Sequence, residues 1–448
     1  MTRTWPGIKK LTNNDTKNIR VRTPKYSVTR AYRPNAGWDP RTDKPLRTSA
    51  IPSVAAATAW PWLTPNPPTS GGHLIGLLDD GAAFCYDPHA WYEAGFTNAM
   101  NIAIIGATGS GKSTTACAIA LRALAHTNRH VLVVDGKSDW GRYADAYGGT
   151  VVRFKGTSTA INMLDVPVGM DPAAASDHRM RATRVLLEIV AERKLTDTEL
   201  LALSRATTRL PDDARLSDVR ERVARPTGAT DAETQELIDA GKSLLAPLSR
   251  ITTPGSTYAQ LLDRESTVRF DPTAPLFVVS LGDLEVTSDL RECVIAAAQS
   301  WIHAATTAQN GKRILILDEA WQLLKYEAAA VAHAERLRLA RAYGLSTVMI
   351  LHRPADISMF GEPGSTHRAS VEAVFNLSDV HIIGKLNYDD ALDAQRLLHL
   401  NEVETTAIRT ARTGQLLWSV ETAQGGRTSW LVHTQRTHGE AVLWNTKV

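Results

Sequence analysis

Eight consecutive residues, Gly106, Ala107, Thr108, Gly109, Ser110, Gly111, Lys112 and Ser113, match the pattern G-x-x-x-x-G-K-[ST]. Glycines at these spacings let a short loop wrap so that backbone N–H groups converge on one anion. A helix starting at the end of the loop adds the positive end of its dipole to the same anion. Lys112 supplies a point charge for the β- and γ-phosphates, and the Ser113 hydroxyl is a hard oxygen ligand suited to Mg²⁺. With Thr114 beside them, these residues form the expected contact set for a nucleoside triphosphate. ATP with Mg²⁺ is the expected ligand.

Two carboxylates stand where such chemistry needs them. Ile314-Leu315-Ile316-Leu317 is an apolar run that ends in Asp318-Glu319. A buried parallel strand delivers its last residues to the carboxyl edge of a sheet, where ligands bind in open α/β folds. Asp318 is then expected to hold Mg²⁺ with Ser113, and Glu319 to orient and deprotonate an attacking water. A third apolar run, Thr347–Leu351, leads into His352-Arg353-Pro354, which makes His352 a candidate sensor of the γ-phosphate. Asp135, at the end of Val131–Asp135, either caps the following turn or touches the nucleotide.

These groups need a parallel sheet to hold them. Apolar runs at Asn101–Ile105, Val131–Asp135, Val151–Phe154, Leu276–Leu281, Arg313–Leu317, Thr347–Leu351 and His381–Gly384 read as buried strands. Helical periods separate them at about residues 112–125, 289–308 and 327–343. Strand, helix and strand in that order form βαβ units. Residues 71–92 carry two short apolar runs around Asp79-Asp80-Gly81, the pattern of a β-hairpin. Residues 171–248 are charged, with Leu and Ala at helical spacing and almost no strand signal. Gln415–Val420 and Ser429–Val432 read as edge strands. The expected architecture is an α/β P-loop core with a mainly parallel sheet. The core spans 98–170 and 249–448, an all-α insertion spans 171–248, and residues 51–97 form a linker and hairpin before it.

Charge is unevenly spread along the 448 residues. The net charge is +3, yet residues 1–50 hold twelve Lys and Arg against three Asp, and the remainder holds 38 basic and 44 acidic residues. A basic arm on a mildly acidic body suits a polyanion such as DNA or an anionic membrane surface, and a solvated, disordered tail has the same composition. Three cysteines, Cys85, Cys117 and Cys293, have no disulfide or zinc spacing, which fits a reducing compartment. No apolar run approaches ~18 residues, so no transmembrane segment is expected. No signal peptide is visible either. The expected location is cytoplasmic, with any membrane role peripheral at the inner face.

Several stretches together resemble one family: NIAIIGATGSGKST (101–114), VLVVDGKSDW (131–140), INMLD (161–165), ILILDEAWQLL (314–324), RLARAYGLSTVMILHRPADI (338–357) and LHLNEVETTAIRTARTGQLLWSV (398–420). They resemble, in order, the ATPase domain of conjugative and type IV secretion ATPases, the VirB-type and TraC-like motors of the HerA–FtsK superfamily. The likeness spans about residues 60–445 and is weakest in the helical segment. It implies a RecA-like core acting as a homo-oligomer, hexameric in action. It also implies ATP hydrolysis coupled to moving DNA or protein, with type IV secretion membrane components as partners. Sites in this superfamily are completed by an arginine from a neighbouring subunit. By position in the pattern Arg341 is the first choice for that finger, with Arg338 and Arg353 as alternatives. Two departures stand out. About 100 residues precede the phosphate loop, where the family usually has a large docking domain. His352 occupies a position where the family tends to carry Gln.

Three functions share these features. The first is a conjugative or secretion motor, favoured by LDEAWQLL and the closing segment. The second is a soluble HerA/FtsK-like DNA translocase, which would hydrolyse ATP in response to DNA without a membrane partner. The third is a nucleotide-gated assembly factor, disfavoured by Glu319 because a pure switch needs no base.

Overall fold

The computed structural model describes residues 71–444, apart from 126–127, 168–169, 229, 269–273, 283, 285, 308–310, 319, 352, 355–359, 361 and 363. The basic arm at 1–50, the linker up to residue 70, Glu319 and His352 therefore lie outside the described residues. Contacts divide the chain into 1–65 and 66–448, and every described residue belongs to the second unit.

The chain opens with a hairpin, β1 (His73–Leu78) and β2 (Ala83–Tyr86), whose turn is closed by Gly81 N–H donating to the Leu78 carbonyl at 2.9 Å. Residues 88–93, which the sequence pattern placed at the end of the hairpin stretch, instead form a short helix, α1 (Pro88–Glu93). The Asp87 side chain caps it and Pro88 stands at its first position, a strong local start signal. Then come β3 (Ile102–Ile105), α2 (Lys112–Ala123), β4 (Arg129–Asp135), α3 (Gly141–Tyr147) and β5 (Thr150–Arg153). Five helices follow: α4 (Pro172–Ala191), α5 (Asp197–Thr207), α6 (Leu216–Ala224), α7 (Asp231–Thr252) and α8 (Thr257–Leu262). The chain returns to the sheet with β6 (Leu276–Ser280), α9 (Ser288–Thr307), β7 (Lys312–Asp318), α10 (Glu327–Leu339) and β8 (Leu345–Leu351). Short 3₁₀ turns at 320–325 and 340–343 flank α10. The C-terminal part holds α11 (Thr366–Asn376), β9 (Val380–Ile383), α12 (Tyr388–Leu398), α13 (Glu402–Thr410), β10 (Gln415–Glu421), β11 (Arg427–Thr434) and α14 (His438–Leu443).

Among the described residues all strands join one 11-stranded sheet in the order β2-β1-β11-β10-β9-β3-β8-β7-β4-β6-β5. From β9 to β5 every neighbouring pair is parallel, and from β9 outward to β2 every pair is antiparallel. Apart from the edge strand β5, the parallel strands are buried on both faces, which is why they read as unbroken apolar runs. Alternate residues feed two cores. Ile102, Ile104, Val131, Val133, Ile314 and Ile316 pack on the face that carries α2. Ala103, Ile105, Leu132, Val134, Leu315 and Leu317 pack on the face that carries α4, α9 and α10.

β10 and β11 are not edge strands. β11 is covered by β1 and β10 by β9, so both lie inside the antiparallel half, and β2 and β5 form the edges. β10 is buried from Leu416 to Val420, while along β11 buried and more open positions alternate. The hairpin that occupies the expected edge comes from the other end of the described chain.

Candidate nucleotide site

The phosphate loop leaves β3 at Ile105 and enters α2 at Lys112. Gly109 (φ +78°) and Gly111 (φ +110°) hold left-handed backbone that side chains resist. A Cβ on Gly111 would sit 3.0 Å from the Cα of Gly414. Gly111 is also the N-cap of α2, which has no side-chain cap, so no side chain competes for the first N–H groups of the helix. Lys112 is 6% exposed, and its Nζ donates to the carbonyls of Gly106 (2.6 Å) and Ala107 (3.0 Å). Ser113 is exposed and Thr114 partly so.

Two segments that the motif does not contain brace the loop. The Ala107 N–H donates to the Lys385 carbonyl at 3.0 Å, and the Gly384 N–H donates to the Ile105 carbonyl at 2.8 Å. The Gly414 N–H donates to the Ser110 carbonyl at 3.0 Å. The loop is therefore clamped between the end of β9 and the start of β10. A Cβ on Gly384 would clash with Ser110, so close approach requires glycine there. Gly384 and Gly414 were legible only as turn residues, because the pattern G-x-x-x-x-G-K-[ST] covers one side of the cradle.

Strand register places the acidic residue. β8 lies between β3 and β7 and runs parallel to both, with Ile105 opposite Leu351 and Asp318 opposite Ile350. Asp318 and the start of the phosphate loop thus reach the same carboxyl edge, two strands or roughly 10 Å apart. Asp318 also shares the parity of Ile314 and Ile316, so it faces the side of the sheet on which α2 packs. It is 7% exposed. Burial pushes the Cys117 thiol of α2 well up, and the nearby Asp318 charge contributes to that shift.

Asp135 has a local job. Its carboxylate accepts from the Lys137 N–H (3.0 Å) and the Trp140 N–H (2.7 Å), which caps the turn into α3. Burial raises its pKa, and those two backbone donors oppose the rise.

The arginines divide by edge. Arg341 precedes β8 and donates to the Asn98 carbonyl at 3.3 Å, at the amino edge of the sheet. The length of β8, roughly 20 Å, separates it from the phosphate loop of its own chain. Arg338, exposed near the end of α10, lies toward the same amino edge. Arg353 follows β8 at the carboxyl edge and is exposed.

The residues present fit a magnesium–nucleotide complex: a glycine cradle, an uncapped helix start, a buried lysine, an exposed hydroxyl and a carboxylate meet at one sheet edge. Among the described residues no cluster of His, Cys, Asp and Glu suits a directly bound metal, and no helix is long and apolar enough to cross a membrane.

Comparisons with known proteins agree with this fold. Residues 99–266 match the family described as helicase HerA, central domain. The fold is similar to VirB4 of Thermoanaerobacter pseudethanolicus, with a TM-score of 0.68 and 19% identity over 84% of this chain and 99% of that one. It is also similar to the bacterial conjugative coupling protein TrwB, with a TM-score of 0.53 and 13% identity over 83% of this chain and 90% of that one. A structure of TrwB in complex with ADP and Mg²⁺ aligns with a TM-score of 0.50 and 12% identity, over 82% of this chain and 90% of TrwB. No curated protein matches.

Proposed function

We propose that this chain is a VirB4-like P-loop NTPase of the HerA–FtsK superfamily and works as an ATP-hydrolysing motor of conjugative transfer or type IV secretion. One observation carries the reading: the phosphate loop and Asp318 meet at the same carboxyl edge, one strand between them, on a fold shared with VirB4 along 99% of that protein's solved chain.

In this reading Lys112 and the N–H groups of Gly109, Gly111, Lys112 and Ser113 grip the β- and γ-phosphates, while the Ala107 N–H stays with the Lys385 carbonyl. Lys112 must first leave the Gly106 and Ala107 carbonyls, so triphosphate replaces an internal hydrogen-bond pair. Ser113 and Asp318 would hold Mg²⁺, which supplies charge neutralisation across the β- and γ-oxygens. Glu319 takes the proton of the attacking water, and His352 hydrogen-bonds near the γ-phosphate. Arg341 would serve the site of a neighbouring copy within a homo-oligomer, which the resemblance suggests is a hexamer. TrwB crystallised with ADP and Mg²⁺ supports the cofactor assignment.

The test is steady-state ATPase activity of the full chain, with and without DNA, for the native sequence, Lys112→Ala and Glu319→Gln. Lys112→Ala should lose nucleotide binding. Glu319→Gln should keep binding and lose turnover by about 100-fold or more. Normal turnover in Glu319→Gln would place the base elsewhere. Undiminished activity in Lys112→Ala would remove the site.

A further inference from the structure

A second cavity lies away from the phosphate loop, on the opposite face of the sheet from α2 and toward its amino edge. It is about 130 Å³ and is walled by α4, α9 and α10, with Tyr343 closing one side. Its rim carries an ion pair: Arg181, about half exposed, meets Glu335 at 3.2 Å and also pairs with Asp177. Glu335, the one carboxylate among the lining residues, is therefore engaged at the mouth.

Deeper in, the polar groups are cationic or proton-accepting and poorly partnered. Arg336 reaches only the Gln299 amide oxygen, at 3.5 Å, among its described hydrogen bonds. The His178 Nε2 and the His303 Nδ1 are shut off from solvent and have no hydrogen-bond partner among the described residues. Ser300 adds a hydroxyl to the lining. Buried polar atoms are normally satisfied, and Arg336, half-buried, has near it the Glu335 carboxylate, which Arg181 already holds. The missing partner is an anion with several acceptor oxygens.

We propose that this cavity binds a small free tetrahedral oxyanion, of the size and charge of sulfate or phosphate, held by Arg336, His178 and His303. A volume of about 130 Å³ matches an ion of that size. The charges around the two rings are Asp177, Arg179 and Arg181 on α4 and Glu335 and Arg336 on α10, with the His333 ring against the Met349 sulfur. Burial, and then the Arg336 charge, lowers His178 to about 4 and takes His303 well below its ordinary value. Both rings are neutral in the empty cavity at neutral pH. An anion favours their protonated forms, so binding takes up protons and tightens as pH falls. The ion would also be placed to influence turnover, because α10 continues through the 340–343 turn into β8, whose far end lies between the phosphate-loop strand and Asp318.

The test uses the full chain carrying Lys112→Ala, which disables the anion site of the phosphate loop and needs no turnover. Its result is therefore independent of whether the chain hydrolyses ATP. Sulfate, which does not titrate in the range, is followed by calorimetry at about pH 7.5 and about pH 6. One saturable site is expected, tighter at the lower pH by about threefold or more. Arg336→Gln should weaken it by about tenfold. Since Arg336 also bonds Gln299, His303→Gln is the second variant, with an unchanged thermal melt and a reduced pH dependence expected. Absence of saturable sulfate binding, or binding that neither substitution alters, overturns the proposal.

Discussion

Gly111 is the residue at which conformation and chemistry meet most tightly. Its φ of +110° excludes comfortable side chains, and a Cβ there would press on the Cα of Gly414 at 3.0 Å. Gly109 has φ +78° but nothing within 4 Å of a built Cβ. Gly109→Ala should therefore cost only backbone strain of about 1–3 kcal/mol, while Gly111→Ala adds a backbone clash that pushes the loop off the β10 start. Thermal melts with and without ATP·Mg²⁺ check this. Gly111→Ala should lose the ligand-induced rise in Tm and Gly109→Ala should retain part of it; equal behaviour would mean the brace at Gly414 is irrelevant. The motif announced these glycines by their spacing alone. It could not announce Gly384 or Gly414, because a brace supplied from about 280 to 310 residues away leaves no mark in a local pattern. Arg341 was legible as a candidate finger by position. Its edge became visible only once the direction of β8 was known, since a linear sequence does not say which end of a strand faces the ligand.

At the scale of elements, the parallel strands were legible because burial on both faces makes each a continuous apolar run. The antiparallel strands β10 and β11 were recognised as strands but placed wrongly at the edge, because which strand covers which is a non-local outcome. The helices between β5 and β6 depend on caps as well as on apolar spacing. Thr196 and Glu199 form a capping box at the start of α5, and Glu199 also binds Arg193 and accepts from Ser243 of α7. The Arg193 guanidinium, against the effect of burial and helped by Ser243 and Thr196, holds Glu199 down to about 2. A carboxylate depressed in the folded state stabilises above its ordinary value and loses that stability as pH falls toward its folded value. The helical segment should thus weaken between pH about 4 and about 2. Far-UV circular dichroism against pH checks it. Glu199→Gln should lower the Tm at neutral pH and flatten the acid transition; an unchanged acid profile would show that this junction does not govern it.

At the scale of the whole molecule, the decisive fact is that the two ends of β8 serve different places. Its carboxyl end lies between the phosphate loop and Asp318, and its amino end carries Arg341 roughly 20 Å away. If Arg341 completes a site, that site belongs to another copy of the chain. A guanidinium aimed at the γ-phosphate stabilises charge that develops in the transition state, and removing such a finger costs about 10³-fold or more in turnover. Two dead variants then become complementary. Lys112→Ala has a ruined loop and an intact Arg341, and Arg341→Ala has an intact loop and no finger to offer. Each alone should be inactive. Mixed at equal concentration and allowed to co-assemble, they should regain a measurable fraction of native ATPase activity, because some interfaces pair a good loop with a good arginine. Native activity per chain should also rise with protein concentration for the same reason. A mixture no more active than the mean of its parts, with an Arg341→Ala variant that turns over normally, would confine Arg341 to its structural bond with the Asn98 carbonyl and leave the site to be completed from within one chain.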